Sequence, residues 1–539
     1  MFQRLKALGR DLAVYGAGDV ATQAISFLLL PVYVRFLSPG DYGVLALLLM
    51  VEMLAKILFR WGVDSSFMRM YYDCPDQPAR RLLASTIFLF LLAANGAVLA
   101  VALAVTPSLA RHLFGSVSQA PALQILLTNT FLAGFFFIPF HELRIQRQSG
   151  RFIALTITRS LATILLRLTL VIGFRLGVLG VVLADLITTG LFGALMLPRF
   201  LALVGPVFSP QLLREALRFG LPRLPHGLAQ QTVAVSDRYI LSLYATLHEL
   251  GLYSIGASFA MGLKLFLNAF EYAWAPFYFA IMREPDAKPT FRLVATWGVA
   301  ALVGLAMLVA ACAPQIVRIM TTPLFQGAAG VMPWIAVGVA LQGVYLLTSI
   351  GLNITKRTEF YPIATGLAAV TSVGVNLALV PRYGATGAAI ANTLSYAVLA
   401  GVSATLANRV YPVGYEWGRM ARVAVVGFVG YTTAVLLVPV SWPAVPALAA
   451  RVIVAGSAYV GLLVLTGFLT ASERVRLVEL WALARKRRTG GGRPAEVETE
   501  VSETTELAGN VVSATAGEII ESPDEVVGAP GSVNDRESP

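Results

Sequence analysis

Three ionisable residues recur at four-residue intervals inside one of the most apolar stretches of the chain, YGVLALLLMVEMLAKILFRWGVDSSFMR, where they are Glu52, Lys56 and Arg60. That spacing places all three on one face of a helix. A charged side chain deep in a bilayer costs about 2.5 to 3.5 kcal/mol on insertion scales, so the stripe is expected to face a bundle interior or a wet cavity. The chemistry it offers is electrostatic. An arginine fork and a mobile lysine charge hold an anion, and the carboxylate either neutralises its neighbours or titrates.

The element that positions the stripe must be a membrane helix. Of 539 residues 57% are hydrophobic and only 13% charged, against about 25% charge in soluble domains, and the mean hydropathy is +0.72. The basic start, MFQRLKALGR, runs into an apolar segment too long for a signal peptide, so no cleaved leader is expected. The two cysteines, Cys74 and Cys312, fall on segments read as lying on opposite membrane sides, which implies no disulfide framework. The net charge of +11 is unevenly divided, because residues 489 to 539 hold eleven acidic and two basic residues and leave +20 on residues 1 to 488. A basic membrane domain points to anionic lipid or an anionic substrate and away from nucleic acid.

Fourteen segments reach the roughly 20 apolar residues needed to span a bilayer. They include 15 to 36, 42 to 62, 221 to 244, 250 to 281, 360 to 380, 384 to 407, 420 to 440 and 449 to 469. Lys and Arg concentrate in alternate loops, with Arg80 and Arg81, Arg214 and Arg218, and Lys356 and Arg357 on one side, and single residues such as Arg175 and Arg451 on the other. The alternation predicts cytoplasmic N- and C-termini. After the last span, residues 471 to 488 read as a basic amphipathic segment and 489 to 539 as a disordered acidic tail.

An internal repeat organises these spans. DYGVLALLLMVEMLAKILF matches ELGLYSIGASFAMGLKLFL, pairing Gly43 with Gly251 and Lys56 with Lys264; RLGVLGVVLADL matches RYGATGAAIANT, pairing Gly177 with Gly384. Both matches share an offset of 207 to 208 residues. Six helices separate the copies, and an even number makes the repeat parallel. The expected architecture is an all-α polytopic membrane protein of 14 transmembrane helices: a first six-helix lobe (1–210), a second (211–410), and helices 13 and 14 (411–470) outside the duplication. The repeat brings Lys56 and Lys264 toward one cavity. Read singly, Lys56 also fits snorkelling to the inner interface, which is harder for Lys264, deeper in a longer helix.

One further pair reads as structural. Arg167 and Asp185 fall at similar depth in successive spans, and both are lost together in the second copy, where Gly374 and Asn392 stand.

FLLLPVYVRFLSPGDYGVLAL, LRFGLPRLPHGLAQQTVAVSDRYILSLYATLHELGLYSIG and RYGATGAAIANTLSYAV resemble the polysaccharide-export, O-antigen (Wzx-type) flippase branch of the multidrug/oligosaccharidyl-lipid/polysaccharide exporter superfamily, over about residues 10 to 470. The resemblance implies movement of an undecaprenyl-diphosphate-linked oligosaccharide across the bacterial inner membrane by alternating access, for O-antigen, capsule or exopolysaccharide synthesis. It implies membrane lipids, a polysaccharide polymerase and export components as partners, no cofactor, and proton or sodium coupling.

Such a substrate carries a diphosphate, for which Lys56, Lys264, Arg60, Arg223 and Arg238 are the candidate ligands. Asp19, Glu52, Asp64, Asp237 and Glu271 are either their ion-pair partners or the titratable element of coupling. Gln23, Gln230, Gln231 and Asn268 are candidates for sugar hydroxyls or for helix-to-helix hydrogen bonds.

The rival on the same fold is a flippase for the lipid-linked peptidoglycan precursor. A membrane polymerase-like enzyme would need an extended outer loop, and the longest expected here is about seventeen residues. The four histidines are scattered, with neither metal-ligand spacing nor a phosphate loop, so an enzyme is not expected.

Overall fold

The computed structural model describes residues 27–146, 148–221, 224–470 and 473. Asp19, Gln23, Arg223, most of the first candidate span, the basic segment apart from Glu473, and the acidic tail lie outside the described residues. The chain to Phe468 forms one compact unit.

Among the described residues every regular element is helical: α1 Pro39–Arg60, α2 Val63–Asp73, α3 Gln77–Phe114, α4 Ala120–Ala133, α5 Phe137–Ile145, α6 Ser149–Leu168, α7 Gly177–Leu203, α8 Pro210–Gly220, α9 Leu224–Tyr244, α10 Leu247–Ile281, α11 Ala287–Met320, α12 Met332–Thr348, α13 Ile350–Ile354, α14 Tyr361–Val410, α15 Trp417–Leu437 and α16 Ala444–Leu465. Eleven helical stretches among them are long and apolar enough to cross a membrane. The longest holds two expected spans joined at Gly384, whose backbone (φ 51°, ψ −130°) is non-helical. The seventh expected span, α9, is 21 residues long but carries Gln230, Gln231, Asp237 and Arg238, and it is not among the eleven.

The start signals of α1 and α10 are duplicated. Ser38 caps α1 by accepting from the Asp41 amide, and the Asp41 side chain returns a bond to the Ser38 amide. Thr246 caps α10 by accepting from Glu249, 208 positions further on in each case. Hydroxyl caps of this kind satisfy the orphan amides of a first helical turn.

One turn in, the two helices cross at glycine. A Cβ on Gly43 would lie 2.0 Å from the Leu247 carbonyl oxygen, and one on Gly251 only 1.7 Å from that of Pro39. Pro39 and Leu247 are themselves repeat equivalents, as are Gly43 and Gly251. Each residue thus meets the counterpart of the residue that meets it, the signature of a two-fold contact. Two backbones this close leave no gap between α1 and α10 at that level. The neighbouring side chains, Leu47, Leu250, Tyr253 and Ala257, are buried in one shared core.

The second match is equally visible in the backbone. Gly177 and Gly384 are both left-handed (φ 55° and 51°) at the start of a helix that turns back on its predecessor. Gly180 and Gly387 then let that helix approach the preceding one, with built Cβ positions 3.1 and 2.7 Å from the backbone of Leu170 and Leu379.

Arg451 departs from its expected place in an outer loop. It is fully buried, and its guanidinium donates to the carbonyls of Val438 and Ala311 at 2.9 and 2.6 Å. The missing amide of Pro314 orphans the Ala310 carbonyl, next to the Ala311 carbonyl that Arg451 takes. Arg451 therefore clamps α16 and the end of α15 to α11.

The glycine crossing predicts a graded response. Gly251→Ala sets a methyl against backbone that has no flexible tip to yield, and should destabilise the protein by about 1 to 3 kcal/mol. Gly366→Ala, a helical site with nothing within 4 Å, should be neutral or slightly stabilising. Thermal unfolding of both variants in one detergent checks the contrast.

Candidate functional site

The first half of the bundle carries an open cavity of about 650 Å³ lined by residues of α1, α2, α4, α5 and α6 and of the α4–α5 bend. Three arginines reach it: Arg60 from the end of α1, and Arg159 and Arg167 from α6. Thr156, Ser160, Thr163 and Arg167 follow one another on α6 in steps of four, three and four residues, so a continuous polar stripe faces the space. Phe136, Phe137, Phe140 and His141 form the opposite wall.

That wall exists because the fourth expected span is broken. Helix α4 ends at Ala133, the chain turns through Gly134, Phe135 and Phe136, and α5 restarts at Phe137. A second irregularity lies at α6, which ends in a π-turn over Thr169–Gly173 directly after Arg167. Short π segments of this kind are frequent at functional sites.

A third irregularity joins α1 to α2. Trp61 adopts a left-handed backbone (φ 49°, ψ 15°) and Gly62 follows with φ 70°. For a non-glycine residue this costs about 1 to 2 kcal/mol. The joint is held by the Trp61 indole donating to Asn95 Oδ1 at 2.8 Å, and by Asn95 Nδ2 donating to the Phe59 carbonyl at 2.6 Å. The resulting turn carries Asp64 back toward Arg60, 3.5 Å away.

The cations differ in how they are neutralised. Lys56 Nζ lies 2.6 Å from Glu52, one turn earlier on α1, and its side chain is 49% exposed. Arg167 forms a two-pronged bond to Asp185 of α7, at 2.9 and 2.7 Å. Arg159 has no ion pair among the described residues. Its guanidinium sits 5.2 Å from the Phe136 ring centre and 3.4 Å from the Thr189 hydroxyl.

Other candidates lie elsewhere. Lys264 is half-buried on α10 within the field of Glu271, and neither it nor Lys56 is among the residues lining the cavity. Asp237 is buried in the second half, where it accepts from the Tyr253 hydroxyl and lies 3.4 Å from Arg238. The Gln231 side-chain oxygen is buried without a hydrogen-bond partner. Asn268 is half-buried on α10, and the Gln230 side chain lies outside the described residues.

Sequence reading passed over Arg159, Thr156, Ser160 and Thr163. Their signal was present: an arginine eight residues before Arg167 shares its helix face, and the interleaved hydroxyls complete a polar stripe on an otherwise apolar span.

Residues 32–278 match a protein family described as polysaccharide biosynthesis protein. No curated protein matches. Among solved structures, a lipid II flippase MurJ in an inward closed conformation is similar with a TM-score of 0.61 at 14% identity, over 86% of this chain and 97% of that one. An inward-facing multidrug resistance transporter of the MATE family gives 0.62 at 17%, over 72% and 95%. An outward-facing MATE transporter gives 0.53 at 19%, over 75% and 96%. The chain is a multi-pass membrane protein with the fold that these transporters share.

The Arg167 and Asp185 side chains are 34% and 21% exposed, between the surface and buried regimes. Replacing either with alanine should cost about 2 kcal/mol, midway between the values for exposed and buried pairs. The charge-swapped double variant Arg167→Asp/Asp185→Arg should recover protein level and melting temperature lost in the single reversals; absence of recovery would remove the structural role of the pair.

Proposed function

We propose that the protein is a flippase that carries undecaprenyl-diphosphate-linked oligosaccharide units from the cytoplasmic to the outer leaflet of the bacterial inner membrane by alternating access of its two halves, both termini being cytoplasmic. The observation that carries the reading is Arg159, a membrane-embedded cation with no ion pair among the described residues, aimed with Arg60 and Arg167 into a 650 Å³ cavity. A cation left unneutralised inside a membrane protein is costly, and an anionic ligand removes the cost. The hydroxyl stripe beside it suits a hydroxyl-rich headgroup. The match over residues 32–278 to polysaccharide biosynthesis proteins supports an oligosaccharide as the cargo.

In this reading the glycine crossing of α1 and α10 closes the outer end, and the cavity is loaded from the cytoplasmic end. The diphosphate engages Arg159 and Arg60, with Lys56 and Lys264 available as the halves rearrange. The lipid chain remains in the bilayer. Glu52, Asp64 and Asp237 are the carboxylates from which a proton- or sodium-coupled step would be built. The similar structure of a lipid II flippase supports a second cargo for the same fold, a lipid-linked cell-wall precursor.

Reconstitution with a labelled undecaprenyl-diphosphate glycan tests the reading. Transbilayer movement is expected in a proton or a sodium gradient; none in either, with the native glycan, sinks it. Arg159→Ala should weaken substrate engagement by about 10- to 100-fold, the worth of a hydrogen bond to a charged group, while Arg159→Lys retains part of it. Loss of export in the folded Lys56→Ala/Lys264→Ala variant is the further expectation, and full retention would remove the lysines from the site.

A further inference from the structure

A second groove, of about 740 Å³, lies far from the cation cavity in sequence and is lined by Phe208, Pro210, Leu213, Arg214, Leu217 and Arg218. All belong to α8 or the strap before it, the connection between the two halves of the repeat. Helix α8, PQLLREALRFG, is the most one-sided of the described helices. Its small face, Ala216 and Gly220, is buried. There the Ser66 hydroxyl donates to the Ala216 carbonyl at 2.6 Å, and a Cβ on Gly62 would lie 2.3 Å from the Gly220 carbonyl oxygen. The strap is fixed as well, with the Gly205 and Ser209 amides donating to the hydroxyls of Ser85 and Thr86 at 2.8 and 3.0 Å.

The flank of α8 beside that face is open; Leu213 and Leu217 share the face of Ala216 and Gly220, with Leu217 also against the buried core. Phe208, Arg214 and Arg218 are exposed, Leu213 and Leu217 are half-buried, and neither arginine has an ion pair among the described residues. Arg214 and Arg218 are one turn apart, and the three apolar side chains run alongside them. Because the helix is tied to the first turns of α3 and to the joint after α1, it sits where membrane spans end, at the level of lipid headgroups.

We infer that this groove binds an anionic phospholipid of the adjoining leaflet, its phosphate between Arg214 and Arg218 and an acyl chain against Phe208, Leu213 and Leu217. Charge selects the headgroup, and the apolar wall selects a lipid over a free anion. The site stands apart from the transport reading and survives its failure. Bound lipid would brace the Gly62–Gly220 contact, and through it the Trp61 joint that sets Arg60 against Asp64.

The test places the full chain in nanodiscs of phosphatidylcholine with and without phosphatidylglycerol, and reads thermal stability and the lipid retained on detergent extraction. Phosphatidylglycerol should stabilise the native protein and be retained preferentially. Arg214→Gln/Arg218→Gln should lower its apparent affinity by up to about thirtyfold, each arginine near an anionic surface being worth roughly fivefold. Arg214→Lys/Arg218→Lys should keep most of it, and inorganic phosphate should give no effect. Equal loss in Arg409→Gln, an exposed arginine at a different helix end, would show diffuse surface charge and overturn the site. A phosphate effect equal to that of the lipid would overturn it too, as would a change in oligomeric state without lipid dependence.

Discussion

The crossing of α1 and α10 is the constraint on which the rest depends. Two helices can bring their backbones into direct contact only where side chains vanish, and here both glycines are supplied by one duplicated position, Gly43 and Gly251. Small residues at such crossings replace a hydrophobic driving force that is absent between helices in lipid, and let dispersion do the holding. Because the contact is self-complementary, it fixes a two-fold relation between the halves at one end. Among the described residues no second glycine crossing of α1 with α10 stands where α1 ends at Arg60. That difference between the ends is what a rocking mechanism requires.

The duplication preserves backbone and discards chemistry. The caps, the crossing glycines and the left-handed Gly177 and Gly384 recur, because each is demanded by the course of the chain. The cavity stripe does not. Thr156, Arg159, Ser160, Thr163 and Arg167 become Ile363, Gly366, Leu367, Val370 and Gly374, and of these Val370 is 72% exposed. One face of one helix is thus cationic and hydroxylated in the first half and bare or apolar in the second. The fold is therefore symmetric where the charge is not, and on the proposed reading an anionic headgroup would engage one wall only.

What was legible in the sequence followed from rules that act locally or by repetition. The charge period of four placed Glu52 beside Lys56, and the joint loss of Arg167 and Asp185 in the second copy marked residues that the structure holds at 2.7 Å. The cavity itself was not legible. It depends on the break at Gly134, which interrupts a segment whose hydropathy reads as continuous, and on the left-handed Trp61, a conformation that no tryptophan announces. Arg159 was overlooked because a single charge does not lower the mean hydropathy of a span enough to show, although its helical phase relative to Arg167 was available. Likewise Arg451 read as a loop residue, whereas the structure buries it against the carbonyls of Val438 and Ala311.

The ion pairs around the cavity divide by strength, and the division bears on how an anion could enter. Lys56 with Glu52 and Arg60 with Asp64 are pairs within one turn, each with a half-exposed cation. Such pairs are worth about 0.3 to 0.5 kcal/mol. The diphosphate of the proposed cargo would offer an arginine a two-pronged, charged partner and would outcompete them. Arg167 with Asp185 is itself two-pronged and bridges separate helices, so it persists and keeps α6 packed on α7. The weak pairs lower the cost of an empty cationic cavity without locking it, and the strong pair preserves its shape. Arg159, with a ring face and a hydroxyl beside it, Asp185 and Glu52 in its field and no ion pair among the described residues, is then the cation whose environment the proposed anion would improve most.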